Sequence, residues 1–150
     1  MDRFPQPLRA ELQPDRKTWR LLAPFSYLDP DHGLIEAEEG FETDFASVKS
    51  VRTIGVILLV AGLVTLFLSS CLGALLMSLG FGVLLLYAAV VGYGQEAAVI
   101  HDWLYQTGQL PRAPSDRVYF NAQRSSGIAR WRAWLTWAGV RIGGMSRYQH

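Results

Sequence analysis

The sequence predicts an α+β protein in which a small N-terminal antiparallel β-hairpin or sheet packs on C-terminal helices. An apolar helical hairpin interrupts this soluble part. Three observations predict this fold. Residues 53–95 contain no charged residue, and Arg52 and Glu96 close that stretch. Turn-forming residues at 29–33 separate two strand-like segments. After Glu96, apolar residues recur at helical spacing, interrupted by glycine and proline.

These patterns predict the domain organisation. Residues 1–52 and 96–150 are expected to form one discontinuous soluble α+β domain, and residues 53–95 an inserted apolar helical hairpin. The net charge of +1 gives no global field that would favour nucleic acid. Cys71 is the single cysteine, so no intrachain disulfide is expected. The first seventeen residues lack the apolar core of a signal peptide, so any membrane insertion should use the internal stretch.

The N-terminal elements follow from proline and turn residues. Met1–Lys17 contains three prolines among charges and is predicted to be an extended arm or a capping segment rather than a helix. Trp19–Leu28 is rich in aromatic and aliphatic residues but contains Pro24, so it is expected to be an edge strand or a broken one. Asp29–Gly33 is a turn, and Gly33–Phe41 is the predicted returning strand of an antiparallel hairpin.

The apolar stretch is predicted to form two helical arms. A membrane span needs roughly 20 helical residues, and the forty-three uncharged positions suit two spans better than one. The expected break at Ser69–Gly73 gives the arms Ile54–Leu68 and Leu72–Gly92. The alternatives are the buried core hairpin of a soluble protein and a single long helix of about 60 Å.

Small residues recur at every fourth position on both arms and are predicted to form the interface of the hairpin, since small faces let helix backbones approach closely. They are Ala61, Thr65 and Ser69 on the first arm, and Ser70, Ala74, Ser78 and Gly82 on the second. The alternative is the general abundance of small residues in membrane helices. A hairpin returns both flanks to one side. By the positive-inside rule, Lys49 and Arg52 beside the first arm predict that both termini are cytoplasmic. Insertion of the apolar hairpin would make membrane lipid its partner.

Three helices are predicted after the apolar stretch: Glu96–Gln106, Ser115–Ser126 with Ser115 as N-cap, and Ile128–Ile142. The third carries an apolar face at helical spacing, made of Trp131, Trp134, Leu135, Ala138 and Ile142. Either this face is interfacial, with tryptophans at lipid headgroups and arginines on phosphates, or it faces the core and the basic side is solvated. Because the aromatics follow the apolar face, nucleic acid is not an expected partner.

Four polar residues are candidate catalytic residues: Asp44, His101, Asp102 and Asp116. One hypothesis makes His101, Asp102 and Asp44 the ligands of a divalent metal, zinc or manganese, that activates water for hydrolysis. The alternative is structural. Asp44 or Ser47 would cap the helix that follows them, Asp116 would cap a later helix, and His101 and Asp102 would form a buried hydrogen-bond network. No other cofactor is predicted.

Three segments form a recognisable pattern: GFETDFASV (40–48), AAVIHDWLY (97–105) and the region from Ser115 to Gly144. In these segments the chain resembles the phage- and prophage-associated domain of unknown function 1353. The resemblance implies that the four candidate residues belong to one constellation. Lys49 stands where the family pattern usually has proline, and the apolar stretch replaces a shorter linker.

Two functions are therefore expected as alternatives. The first is a phage- or prophage-encoded, membrane-associated protein without catalysis. It would be a component of the virion, of the infection apparatus or of the envelope. Its partners would be other phage or envelope proteins, or further copies of the chain in a homo-oligomer. It would lie in the host inner membrane or in the virion. The second is a metal-dependent hydrolase that acts at the cell envelope on peptidoglycan or peptides, with Asp116 as a ligand or general base.

Overall fold

A computed structural model describes residues 3–45 and 49–143. The chain divides into two compact units. The first, called here the α+β unit, consists of Met1–Phe45 and Gly92–His150, and the second, the helical hairpin, is Ala46–Val91. The elements are β1 (Ala10–Leu12), β2 (Trp19–Leu21), β3 (Phe25–Asp29), β4 (Gly33–Ala37), β5 (Glu42–Thr43), α1 (Lys49–Thr65), α2 (Ser70–Val90), α3 (Gln95–Thr107), α4 (Arg112–Ser125) and α5 (Arg130–Gly143). The α+β fold class that the sequence predicts is confirmed.

The strands form two small antiparallel sheets. One has the order β1-β2-β5, and the other is the β3-β4 hairpin. Pro24 separates β2 from β3, so the predicted strand 19–28 is broken at its proline and its halves belong to different sheets. The tight turn is confirmed: Asp29 pairs with Gly33 across it, and the Asp29 carboxylate accepts hydrogen bonds from the backbone N–H groups of Asp31 and His32. The predicted arm contains β1, a strand that the prolines obscured.

The three helices of the α+β unit begin and end near their predicted bounds, with one difference in capping. Ser115 lies inside α4 rather than at its N-cap, which is Pro111. The Ser115 hydroxyl donates to the carbonyls of Leu110 and Pro111 instead. Asp116 follows it and is fully buried, so its expected role as a helix cap is wrong.

The core of the α+β unit lies between the sheets and the helices. Buried side chains of the strands, including Leu21, Phe25 and Tyr27, form one apolar cluster with buried side chains of α3 and α4 such as Ile100 and Val118. Asn121 of α4 also donates to the buried carboxylate of Asp29 at the hairpin turn. Packing of the N-terminal strands on the C-terminal helices, as predicted, therefore positions α3 and α4.

Helix α5 differs from the core-facing interpretation of its sequence. Its buried positions are Ala133, Thr136 and Val140. The predicted apolar face points outward, and Trp131 and Trp134 on it are more than half exposed. The small inward side chains let α5 pack closely, while the larger apolar side chains remain uncovered.

In the helical hairpin, α1 and α2 confirm two apolar helices with slightly shifted bounds. The connection lies at residues 66–69, a few residues before the expected break, because Ser69 serves as the N-cap of α2 and accepts a hydrogen bond from the Leu72 backbone N–H. The predicted capping of the first helix by Ser47 lies outside the described residues, whereas Asp44 lies in the segment that follows β5.

Candidate functional site

Helices α3, α4 and α5 meet at one fully buried carboxylate. Asp116 of α4 is 0% exposed, and three side chains contact it. His101 Nε2 lies 3.0 Å from Oδ1, the Tyr105 hydroxyl donates to Oδ1 at 2.5 Å, and an Arg141 guanidinium nitrogen donates to Oδ2 at 3.0 Å. We call these four residues the Asp116 cluster. Because its members come from three helices, the cluster ties them together through charge-assisted hydrogen bonds.

The electrostatics of the cluster keep Asp116 ionised. Burial by itself raises the pKa of this carboxyl, but the hydrogen bonds from its three partners outweigh burial and hold the pKa below its usual value of 3.8. Burial also raises the pKa of Tyr105 to about 12, and donation to Asp116 acts in the same direction. At neutral pH the Asp116 carboxylate therefore only accepts hydrogen bonds, and the Tyr105 hydroxyl donates one to it.

His101 is held in one orientation. Its ring lies between Tyr105 and Tyr119, with centroid distances of 4.1 and 5.0 Å. Because the ionised Asp116 only accepts, Nε2 carries the proton in that contact. Nδ1 is buried and has no hydrogen-bond partner among the described residues. It faces Asp102 Oδ1 at 4.0 Å, which is too long for a direct hydrogen bond.

Asp102 belongs to the same region but has a different partner. Since adjacent helical residues point about 100° apart, only one of the pair 101–102 can face the core. Asp102 turns toward the sheet, where its Oδ2 accepts a hydrogen bond of 2.5 Å from the Thr43 hydroxyl of β5. Asp44 directly follows Thr43 and is half-buried. The structure thus links the strand end and α3 through Asp102, and α3 to α4 and α5 through His101.

The donor set for a metal is incomplete in this region. Among residues 3–45 and 49–143, no group of three or more His, Cys, Asp or Glu side chains could hold a metal ion. Both oxygens of Asp116 already accept hydrogen bonds from side chains of the protein. The geometry of the described residues therefore does not support His101, Asp102 and Asp44 as a metal-ligand set, and that set stays a prediction.

Three residues of this region were not singled out from the sequence. Tyr105 could have been found, because it lies four positions after His101 and therefore on the same helix face. Thr43 immediately precedes the candidate Asp44. Arg141 carried no sequence signal of its own, since only the packing of α5 against α4 brings it to Asp116.

The Asp116 cluster predicts a dependence of stability on pH. Because the pKa of Asp116 is lower in the folded state than in the unfolded state, its contribution is complete above the unfolded value near 3.8 and is lost as pH falls through the folded value. We expect the melting temperature to fall as pH decreases below about 4. Thermal unfolding between neutral and strongly acidic pH measures this, and Asp116→Asn should show a shallower acid decline. An equally steep decline in that variant would contradict the assignment.

The second feature with functional potential is the interface between α1 and α2, which is made by glycines. A Cβ added at Gly73 would lie 2.6 Å from the backbone nitrogen of Leu66, and one at Gly62 2.8 Å from that of Met77. A Cβ at Gly80 would lie 2.9 Å from the backbone nitrogen of Leu59, and one at Gly55 would lie 2.7 Å from the side chain of Leu84. The predicted interface on α2 is wrong: Ser70, Ala74, Ser78 and Gly82 are exposed. Glycine occupies the contact because only its missing side chain allows this backbone approach.

The outer surface of the helical hairpin is apolar. Its exposed large side chains are Ile54, Val56, Ile57, Val60, Leu63, Val64, Phe67, Leu68, Leu72, Leu75, Leu79, Phe81, Leu85, Leu86 and Val91. Among the described residues, one helix, Ser70–Val90, is long and apolar enough to cross a membrane, and a shorter apolar helix spans Val51–Thr65. Only 11% of the apolar window in the longer helix is buried, unlike a core helix of a soluble protein.

Two polar side chains of the hairpin are satisfied within their own helices. The hydroxyl of Thr65 donates to the Ala61 carbonyl at 2.7 Å, and that of Ser78 donates to the Ala74 carbonyl at 2.8 Å. Such intrahelical bonds leave these hydroxyls independent of water, a condition that a lipid environment imposes.

Comparison with known proteins gives one match. Residues 82–140 match the family described as Protein of unknown function (DUF1353). No curated protein matches the chain, and no solved structure does. The matched range contains His101, Asp102 and Asp116, while the segment 40–48 lies outside it and its share in the resemblance stays a prediction. The family resemblance inferred from the sequence is confirmed over residues 82–140, from the second half of α2 through most of α5.

Proposed function

We propose that this protein is a membrane-anchored component without catalysis, in which the helical hairpin inserts into a bilayer and the α+β unit docks a partner protein at the surface. The resemblance suggests a phage- or prophage-encoded protein, located in the host inner membrane or the virion. Partners of that kind would be other phage or envelope proteins, or further copies of the chain.

One observation carries the proposal: the exposed surface of the helical hairpin is continuously apolar and carries no charge from Thr53 onward. Soluble monomers rarely expose apolar patches larger than a few hundred Å². Helix α2 has 21 residues, which is about 31 Å at helical rise and matches the hydrocarbon thickness of a bilayer. Helix α1 is shorter, at about 25 Å, and would span with local thinning.

Arginines placed on the outer surface of the hairpin should prevent insertion. We expect Ile57→Arg with Leu79→Arg to reduce strongly the fraction of protein that resists carbonate extraction from membranes. Both side chains are exposed near the middle of their helices. Each central arginine opposes insertion by about 2.5–3.5 kcal/mol on the translocon scale.

The matched control places the same charges elsewhere. Leu12 and Leu34 are similarly exposed leucines of the α+β unit. Leu12→Arg with Leu34→Arg should therefore leave carbonate resistance unchanged. If the wild-type protein is wholly soluble and monodisperse without detergent, and does not float with membranes, the proposed membrane function is wrong.

A second candidate function, a metal-dependent envelope hydrolase, is favoured by a single observation. Nδ1 of His101 has no hydrogen-bond partner among the described residues and faces the carboxylate of Asp102. Elemental analysis of the purified protein decides it. Stoichiometric zinc or manganese that is lost in His101→Ala would favour the hydrolase, and protein without metal would remove it. If His101→Ala instead unfolds the protein, the residue is structural.

A further inference from the structure

The outward side of α5 is an apolar face that the described residues leave largely uncovered. Five apolar residues share this side at helical spacing: Trp131, Trp134, Leu135, Ala138 and Ile142. Trp131 is 52% exposed, Trp134 57% and Ile142 81%. We call this set the α5 apolar face. Two of its large side chains are tryptophans, which favour the boundary between hydrocarbon and headgroups because the ring is apolar and the indole N–H is polar.

The charge around this face has one sign. Asp116 is the last acidic residue of the chain, and six arginines follow it. Arg130, at the start of α5, is exposed and lies at one edge of the α5 apolar face. A second copy of the chain docked by this face would bring like charges together. An anionic bilayer surface, in contrast, complements both the arginines and the exposed tryptophans.

The first turn of α5 contacts a further aromatic residue of the α+β unit, Tyr93. The guanidinium of Arg132 lies 4.2 Å from the centroid of the Tyr93 ring and 5.0 Å from that of Trp131. A cation therefore lies beside aromatic rings at the start of the α5 apolar face.

We propose that the α5 apolar face lies on the bilayer, with its tryptophans among the headgroups and Arg130 on anionic phospholipid. This inference rests on the proposed membrane function and adds a second contact with lipid, outside the helical hairpin. The contact gives α5 an interfacial role in addition to holding Asp116 through Arg141. It also accounts for large apolar side chains that the core does not use.

Tryptophan quenching by brominated phospholipids in proteoliposomes tests the proposal with the full chain. Trp131→Phe with Trp134→Phe should lose about half or more of the emission that the lipid quenches in the wild type. Trp103→Phe is the control, because its ring is half-buried against Phe41 inside the α+β unit. Adding phosphatidylglycerol to phosphatidylcholine should increase quenching, and Arg130→Glu should remove that increase.

The outcomes separate this inference from the proposed function. If wild-type protein is extracted by carbonate, the membrane function itself fails. If the protein resists carbonate but lipid quenches the wild type and the double variant equally, only the contact through α5 is overturned. Tryptophan emission that depends on the ratio of protein to lipid, without quenching, would show that a second copy covers the face and would also overturn it.

Discussion

Asp116→Ala is expected to lower the free energy of unfolding by about 3–5 kcal/mol, the usual cost of removing one partner from a buried charged network. The fully buried carboxylate satisfies two buried donors, the ring of His101 and the hydroxyl of Tyr105. Without it both donors lose their partner in an environment that excludes water. Arg141 is better placed to recover, because its side chain is 40% exposed and can be hydrated.

Denaturant unfolding in mild detergent, followed by tryptophan fluorescence, measures this loss. Glu39→Ala is the matched control, since it removes an exposed acid of the same unit and should change stability little. The double variant Asp116→Ala with Tyr105→Phe should cost less than the sum of the single changes, because the phenol is no longer left without an acceptor. Strict additivity would show that the hydroxyl does not depend on Asp116.

Gly73→Val is expected to disrupt the helical hairpin, with a loss of about 1–3 kcal/mol or more. The first added carbon would lie 2.6 Å from the backbone nitrogen and 2.7 Å from the Cα of Leu66. Backbone atoms of a packed helix cannot move aside as a flexible side chain can, so α1 and α2 must separate. Both helices then lose contacts along the whole interface.

The same helix supplies the control. A Cβ at Gly82 would meet nothing within 4 Å, so Gly82→Val makes the same chemical change in open space. We expect it to alter stability by less than about 1 kcal/mol, in line with helix propensities. Unfolding of the full chain by increasing SDS, monitored by far-UV circular dichroism, compares the two variants. Equal midpoints for both would contradict a glycine interface.

Much of the fold could be predicted because its signals are local. A stretch without charge, a turn at residues 29–33 and helical spacing after Glu96 each depend on residues close in sequence. Pro24 marked where a strand breaks for the same reason. The pairing of β1 with β2 was missed, because that pairing depends on a register between segments rather than on either segment alone.

The candidate site was predictable only in part. His101 and Asp102 stood out as polar residues in a largely apolar helix, and Asp116 stood out as an acid near the start of the next helix. His101 and Asp116 do form a buried pair. Their partners could not be assigned. Arg141 comes from a helix 25 residues further on, and Asp102 turns away to Thr43. Such contacts depend on how α3, α4 and α5 pack against one another, which periodicity does not encode.

The apolar stretch and the apolar face of α5 show the same division. The sequence by itself determined that residues 53–95 are apolar and long enough for two helices, and which side of α5 is apolar. Only the tertiary structure decided that glycines, and not the small residues predicted on α2, form the α2 side of the α1–α2 interface. Only the tertiary structure, likewise, shows that the α5 apolar face points outward. The physical reason is that periodicity defines the faces of a helix, whereas close packing with neighbouring elements decides which face is covered.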